Sequence, residues 1–170
     1  MLIAFSGLPG TGKTTLARAI AHQRQAVYLR IDTIEHALRN AAVLARDVGP
    51  AGYEIAYALA RENLRLGQSV IADSVNPLRI TRDAWRDVAA DASVPLVEIE
   101  VICSDSAVHR RRVERRLAEN SAAAHPSWES VERREYAHWD RPPIVLDSAM
   151  RSPAELLSDL SSVLANSSDQ

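Results

Sequence analysis

The stretch that decides the fold is a short glycine-rich loop, Gly7-Leu8-Pro9-Gly10-Thr11-Gly12-Lys13-Thr14. It follows the apolar run Leu2–Phe5 and precedes a helical pattern that begins at Lys13, so it joins a strand to a helix. The loop matches G-x-x-x-x-G-K-[ST], a pattern whose glycines let successive backbone N–H groups point at an anion. The sequence therefore predicts a phosphate-binding loop, strengthened by the positive end of the helix that follows it.

The polar groups of this loop have separate expected tasks. Lys13 is expected to reach the β- and γ-phosphates, and the Thr14 hydroxyl to ligate Mg²⁺. Lys13 is also the only lysine in the chain, and every other basic residue is arginine. A compact ammonium group fits a tight loop that a planar guanidinium does not. The residues expected to bind the nucleotide are Gly7, Pro9, Gly10, Thr11, Gly12, Lys13, Thr14 and Thr15.

The composition is that of an ordinary globular domain. At 170 residues, 46% of them hydrophobic and 25% charged, the chain is long enough to bury one core. It has no apolar run of about 18 residues, and its start, MLIAFSG, lacks the pattern of a secretory leader. With Cys103 as its single cysteine it suits a reducing compartment, so we expect a cytoplasmic protein. The histidines show no metal-ligand spacing, which argues against zinc.

Short apolar runs alternate with helical patterns along the chain. The predicted strands are Leu2–Phe5, Ala26–Leu29, Ser69–Ala72, Leu96–Ile102 and Ile144–Leu146. The predicted helices are Lys13–Gln23, Thr33–Ala45, Tyr53–Leu66, Thr81–Ala90, Ala107–Leu117, Trp128–His138 and Pro153–Leu164. Almost wholly apolar strands between helices predict a parallel sheet covered on both faces, hence a three-layer α/β fold. We expect one domain over residues 1–165, a mobile excursion at Asn120–Ser127, and a disordered tail over 166–170.

Two aspartates lie where predicted strands end. Asp73 directly follows Val70-Ile71-Ala72 and fits the carboxylate beside Mg²⁺, with a turn or helix cap as the alternative. Asp32 follows the second strand and could accept the proton of an attacking hydroxyl, with a helix N-cap as the alternative. Ligands of open α/β sheets bind beyond the carboxyl ends of the strands, where both aspartates are expected.

Missing residues exclude two classes of nucleotide-binding protein. Reading guanine with an Asn/Thr-Lys-x-Asp segment needs a second lysine, and the chain has none. Hydrolytic ATPases commonly place a glutamate after the aspartate of their second motif, whereas Ser74 follows Asp73. Transfer to a bound acceptor therefore fits the sequence better than hydrolysis.

Five arginines crowd the segment HRRRVERR, His109–Arg116. A nucleic-acid patch, a solvated helix face and a set of phosphate-facing arginines are the three interpretations. The formal net charge of −2 disfavours a dedicated nucleic-acid surface, so nucleic acid stays a less favoured partner. The solvated face explains some of these charges, because Arg110 and Glu114 are four residues apart and can pair.

The third interpretation concerns catalysis. Arg112 and Arg116 lie four residues apart on one helical face, and an arginine placed against a transferring phosphoryl group raises the rate by orders of magnitude. We expect these two to stabilise the transferred charge. Arg111 and Arg115 form the alternative register.

Together these motifs resemble the small P-loop kinases. The chain is most similar to the predicted-kinase, AAA_33-like group that includes polynucleotide kinase and chloramphenicol phosphotransferase-like domains, and more distantly to zeta-toxin kinases. The resemblance implies a five-stranded parallel sheet of order 2-3-1-4-5 with a helical lid in 107–138 and an acceptor-binding region in 33–66. It also implies that Asp32 is the catalytic aspartate and that Asp73 is the carboxylate after the third strand.

The expected activity is an ATP- and Mg²⁺-dependent transfer of the γ-phosphate to a hydroxyl of a small-molecule or nucleoside-like acceptor. Two alternatives stay open: a polynucleotide 5′-hydroxyl kinase, and a non-catalytic regulatory protein that binds ATP. The sequence leaves the acceptor and the oligomeric state open. Tyr53 and Tyr57 share a helical face and could both line an acceptor pocket, with core packing as the more common role for such an aromatic pair. The candidate acceptor residues are Asp32, Arg39, Tyr53, Asn76 and Arg79.

Overall fold

One or two helices follow each strand in a computed structural model, which describes residues 1–41, 48–119 and 125–166. The strands are β1 (Leu2–Ser6), β2 (Val27–Arg30), β3 (Val70–Asp73), β4 (Leu96–Ile102) and β5 (Ile144–Asp147). The helices are α1 (Lys13–Arg24), α2 (Ile31–Asn40), α3 (Ala51–Arg65), α4 (Arg79–Asp91), α5 (Ser106–Glu119), α6 (Trp128–Glu132) and α7 (Pro153–Asn166).

The strands form one parallel sheet in the order β2-β3-β1-β4-β5, which confirms the expected topology. The first strand is the central one and lies between β3 and β4. The register sets Phe5 of β1 and Arg30 of β2 opposite Asp73 of β3. The residues that follow these three strands therefore meet at one edge of the sheet.

Two apolar cores make the fold three-layered. Ile3 and Phe5 point to the face that α1 and α7 cover, whereas Leu2 and Ala4 point to the face that α3 and α4 cover. Alternate residues of a strand face opposite sides, so a strand buried on both faces must be apolar throughout. This is why β1 and β3 are apolar up to their last residue, whereas β4 is buried at alternate positions and carries Glu98 and Glu100 between them.

Several helix boundaries differ from the sequence prediction. The second helix begins at Ile31 rather than Thr33, and the helix predicted over Trp128–His138 ends at Glu132. Beyond it the chain leaves the helical path because the Ala137 N–H donates to the Pro77 carbonyl at 2.8 Å. The far end of the helix predicted to Ala45, most of the expected excursion at Asn120–Ser127, and residues 167–170 lie outside the described residues.

A buried arginine holds this extended segment. The Arg82 guanidinium lies over the rings of Tyr136 and Trp139, 4.9 and 4.1 Å from their centroids. It also donates to the carbonyls of Asn76 (2.9 Å) and His138 (3.3 Å). Carbonyl dipoles and aromatic faces thus replace the water that a buried guanidinium gives up.

Asn76 is a structural residue at the junction of both cores. Its side chain is 1% exposed, and its amide nitrogen donates to the Phe5 carbonyl and the Ser6 hydroxyl, each at 3.2 Å. Its amide oxygen accepts from the Trp85 indole at 3.2 Å. The sequence analysis predicts that Asn76 contacts the phosphate acceptor. In the structure its amide instead fixes the end of β1 against α4.

We predict that Asn76→Ala lowers the free energy of unfolding by about 2–4 kcal/mol, because it takes the partner away from the buried Trp85 indole N–H and removes the donor to the Phe5 carbonyl and the Ser6 hydroxyl. A positive φ of 46° at this position adds backbone strain for alanine. Urea unfolding measures the effect, with Asn40→Ala as the control, since Asn40 is exposed and its amide pairs with the exposed His36. A loss as small as that of Asn40→Ala would contradict the structural role.

Candidate functional site

The glycine-rich loop between β1 and α1 has a shape that only glycine permits at two points. Gly7 and Gly10 have φ of 135° and 90°, in the region that side chains disfavour. A Cβ on Gly10 would lie 2.6 Å from Cγ2 of Val113, so α5 packs directly on the loop backbone. Inside the loop, Thr11 donates its hydroxyl to the Leu8 carbonyl at 2.9 Å.

His109 supports the same loop from α5. Its Nε2 lies 2.8 Å from the Pro9 carbonyl oxygen and can only donate to it. The ring is buried and meets Trp128 of α6 edge-to-face at 5.2 Å. The sequence analysis did not assign this role to His109, because the contact joins residues a hundred positions apart and leaves no local pattern.

Lys13 is the buried cation of the site. Only 6% of it is exposed, and this burial lowers the pKa of its ammonium group. Asp73 and Asp32 act in the opposite direction, while Arg116 and Arg30 lower the pKa further. The structure thus brings together three cations and two carboxylates from five different elements.

Asp73 occupies the end of β3, with 2% of it exposed. The Tyr28 hydroxyl donates to its Oδ2 at 2.7 Å, and Nε of Arg30 lies 3.7 Å from the same oxygen. Burial and the neighbouring Asp73 carboxylate raise the pKa of Tyr28, so this phenol stays protonated and donates. The carboxylate is therefore held from the β2 side of the sheet.

Asp32 lies in the first turn of α2, and 56% of its side chain is exposed. The N-cap of α2 is Arg30, and no side chain caps the helix, so the alternative capping role for Asp32 does not apply. An ion pair of 2.8 Å joins the Asp32 carboxylate to Arg30. Arg30 is thus a site residue that the sequence analysis missed, although its place at the end of β2, two residues before Asp32, was a usable signal.

A cavity of about 360 Å³ lies beside the loop. We call its two walls the loop side and the α7 side. The loop side is formed by Gly10, Thr11, Gly12 and Thr15. The α7 side is formed by Ser148, Arg151, Pro153 and Leu156. A cavity of this volume is suited to a small ligand such as a nucleotide.

Three arginines of α5 also line this cavity: Arg112, Arg115 and Arg116. Both members of the favoured register are among them, and Arg111 of the alternative register is not. Burial and the nearby Arg30 lower the pKa of Arg116, so its guanidinium belongs to the Lys13 cluster. The remaining arginines of this helix serve its solvated face, where Arg110 pairs with Glu114 at 2.7 Å.

Only some of the residues predicted to bind the phosphate acceptor lie near Asp32. Arg39 pairs with Glu35 at 2.9 Å on the exposed face of α2. The guanidinium of Arg79 forms ion pairs with Asp83 and Asp140, with its Nε 3.2 and 3.1 Å from their carboxylate oxygens.

The two tyrosines of α3 have different surroundings. Tyr57 is buried against Trp85, with ring centroids 4.6 Å apart, so it belongs to the core. The Tyr53 hydroxyl accepts from the Asn76 N–H at 3.1 Å. Burial raises the pKa of Tyr53 to about 12, and the carboxylates of Glu35 and Asp32 contribute to the increase. Of the residues predicted to bind the acceptor, Tyr53 therefore has a side chain close enough to Asp32 for the carboxylate to affect its pKa.

Comparison with known families identifies the domain. The AAA_33 family, described as an AAA domain, matches residues 2–137. The chain belongs to this family. An uncharacterized protein of Mycobacterium tuberculosis (strain ATCC 25618 / H37Rv) is 32% identical to this AAA domain over 152 residues. The match covers 82% of the chain but 30% of that relative, so the chain spans less than a third of the length of the curated relatives that it matches.

Solved structures share the fold. The APS kinase of Mycobacterium tuberculosis, determined with AMPPNP and APS, superposes with a TM-score of 0.72 at 22% identity, covering 96% of each chain. A gluconokinase from Sinorhizobium meliloti 1021 superposes with a TM-score of 0.64 at 17% identity, covering 96% of this chain and 91% of its own. Among the described residues, no helix is long and apolar enough to cross a membrane.

We predict that Gly10→Ala lowers the affinity for ADP at least about tenfold, because a Cβ pressed against Val113 displaces the loop backbone. Isothermal titration calorimetry measures the affinity. Gly49→Ala is the matched control, since Gly49 also has a positive φ, 53°, but its added Cβ would contact nothing within 4 Å. Equal affinities of the two variants would show that the loop shape does not matter for binding.

Proposed function

We propose that this AAA domain is an ATP- and Mg²⁺-dependent phosphotransferase that moves the γ-phosphate of ATP to a hydroxyl of a small-molecule or nucleoside-like acceptor. The observation that carries the proposal is the meeting of Lys13, Asp73 and Asp32 at one edge of the sheet, within reach of Arg116. A phosphate-binding cation, a buried carboxylate and an exposed carboxylate are the groups that phosphoryl transfer needs.

The fold supports this activity class. The APS kinase structure with the same fold holds AMPPNP and APS, and the second neighbour described above is a gluconokinase. Both names describe kinases with small acceptors, and both chains are covered almost completely by this one. A small acceptor is therefore the first class to test here.

The cluster of charges fits a triphosphate. Lys13, Arg30 and Arg116 carry three positive charges against two on Asp32 and Asp73, so the site as it stands attracts anions. Burial weakens the solvation of Lys13 and thereby strengthens its interaction with a phosphate that arrives. We assign to Arg116 the stabilisation of charge on the transferred group.

Thr14 and Asp73 fit a magnesium ion. Mg²⁺ prefers oxygen ligands and is usually held by one or two carboxylates, waters and substrate phosphates. In the described part of the chain, no three His, Cys, Asp or Glu side chains group as a metal site, which agrees with a site that phosphate oxygens complete. Tyr28 occupies only Oδ2 of Asp73. When bound, the ion would neutralise charge on the β- and γ-phosphates.

Asp32 would act on the acceptor. Its exposed carboxylate accepts the proton of the acceptor hydroxyl, whose oxygen forms a bond to the γ-phosphorus. The bond between that phosphorus and the β–γ bridging oxygen breaks, and ADP leaves with the bridging oxygen. The 2.8 Å pair with Arg30 fixes the direction in which the Asp32 carboxylate points before the acceptor binds.

A transfer screen tests the proposal directly. ATP labelled at the γ-phosphate is incubated with the protein, Mg²⁺, and nucleosides, sugars, antibiotics or oligonucleotides with 5′-hydroxyl ends. A labelled small-molecule product supports the proposal. A labelled oligonucleotide would instead identify a polynucleotide kinase, and ATP binding without any product would favour a regulatory role.

We predict that Lys13→Ala weakens ATP binding at least about tenfold, because it removes a buried charge that contacts the phosphates. Calorimetry with ATP measures the loss. Lys13→Arg keeps the positive charge but is too large for the loop, so it should not restore affinity. Unchanged ATP affinity in Lys13→Ala would show that the loop does not bind the phosphates of ATP.

We predict that Asp32→Asn leaves ATP affinity within about twofold of wild type but lowers kcat at least about 10²-fold, because the amide cannot accept the proton. ATP affinity by calorimetry and turnover with an acceptor from the screen measure the two effects. Asp91→Asn, which removes an equally exposed carboxylate that pairs with Arg61, is the control. A collapse of ATP affinity in Asp32→Asn would make Asp32 a structural or metal-binding group.

A further inference from the structure

The cavity beside the loop has two chemically different walls. Its loop side presents glycine backbone and threonine hydroxyls, which suit phosphate. Its α7 side combines the apolar surface of Pro153, over the largely buried Leu156, with the polar groups of Ser148 and Arg151, which suits a ring system that carries polar atoms at its edge. A nucleotide that places its phosphates on the loop side would place its base towards the α7 side.

The guanidinium of Arg112 is hydrogen-bonded to the α7 side of the cavity, so its terminal nitrogens already have partners. One terminal nitrogen donates to the Ser148 hydroxyl and the other to the Ser148 carbonyl, each at 2.8 Å. The same side chain reaches Sγ of Cys103 at 3.8 Å. Two parallel bonds from one planar guanidinium to one residue fix both the arginine and the serine.

Ser148 is in turn fixed to the sheet. Its backbone N–H and its hydroxyl both donate to the Ile102 carbonyl at the end of β4, at 2.9 and 3.0 Å. The neighbouring Asp147 carboxylate accepts from the N–H groups of Ser104 and Ala149 at 3.1 and 3.0 Å. The ends of β4 and β5 are thereby tied together, and Arg112 ties both to α5.

The part of α5 that carries Arg112 is itself fixed to the domain. His109 is bonded to the Pro9 carbonyl on one side, and Val113 packs on Gly10 on the other. Arg112 lies between these two anchors, so its position is set before any ligand arrives. One helical turn later, Arg116 belongs to the electrostatic cluster of Lys13.

We propose that Arg112 is a positioning residue that holds Ser148, and through it the α7 side of the cavity, in the shape that receives the nucleoside part of the nucleotide. Arg116 then faces the phosphates, and the two arginines of the expected pair have different tasks. The inference rests on the proposed function only in assuming that the cavity takes a nucleotide.

The test compares a ligand that uses both walls with one that uses only the loop side. ADP binding is measured by calorimetry, and inorganic tripolyphosphate is measured as a competitor of a fluorescent ADP analogue. The variants are Arg112→Ala, Arg112→Lys and Arg116→Ala. Arg110→Ala is the matched control, since it removes one charge from the same helix at an exposed position that pairs with Glu114.

We expect Arg112→Ala to weaken ADP at least about tenfold and tripolyphosphate less than about threefold, because two bonds to the α7 side are lost and the loop is untouched. Arg112→Lys should fail to restore ADP affinity, since lysine is one atom shorter and lacks the planar fork whose two terminal nitrogens each reach one oxygen of Ser148. Arg116→Ala should weaken both ligands alike, and Arg110→Ala neither.

Opposite results separate the inference from the proposed function. If Arg112→Lys binds ADP like wild type, or if Arg112→Ala loses tripolyphosphate as strongly as ADP, Arg112 is a phosphate-binding cation and the inference is wrong. If the wild type binds neither ligand, the proposed function fails with it. Thermal unfolding reports whether Arg112→Ala folds, and Arg112→Lys, which keeps the aliphatic stem, carries the test if it does not.

Discussion

One buried ammonium group organises the edge of the sheet. Lys13 has lost most of its water, and the carboxylates of Asp73 and Asp32 offset that loss only in part because Arg30 and Arg116 oppose them. The cluster therefore retains an excess of positive charge in a place of low dielectric, where an anionic ligand interacts strongly. The glycine turns, the sheet register and the packing of α5 on the loop all serve to keep these groups together.

The fold could be predicted almost completely because its signals are local and agree with one another. The loop motif, the apolar strands and the aspartates at their ends depend on neighbouring residues, and the family resemblance supplied the strand order. The loop and the aspartates meet as expected. What could not be predicted are contacts between distant segments, such as His109 with Pro9 and Arg82 with the rings of Tyr136 and Trp139.

The arginines show why residue type and spacing alone could not assign roles. Arg112 and Arg116 share a helical face, and the pattern treats them as equivalent. The structure separates them because Ser148, thirty-six residues later, offers two acceptors to one of them. The sequence pattern also gives Asn76 and Arg79 the same expected role, which is to contact the phosphate acceptor. In the structure the Asn76 amide bonds to buried groups, and the Arg79 guanidinium pairs with a carboxylate at the surface.

The central place of β1 has a consequence for how the chain is made. Leu2 pairs with Val70 and with Leu96, so the first strand of this sheet in chain order cannot be flanked on both sides until β4 has been synthesised. Folding must close long loops before the pairing that stabilises them forms, which slows the search and leaves apolar strands exposed meanwhile. Until then one edge of the central strand is unpaired, and unpaired strand edges beside apolar surface are the features that promote aggregation during folding.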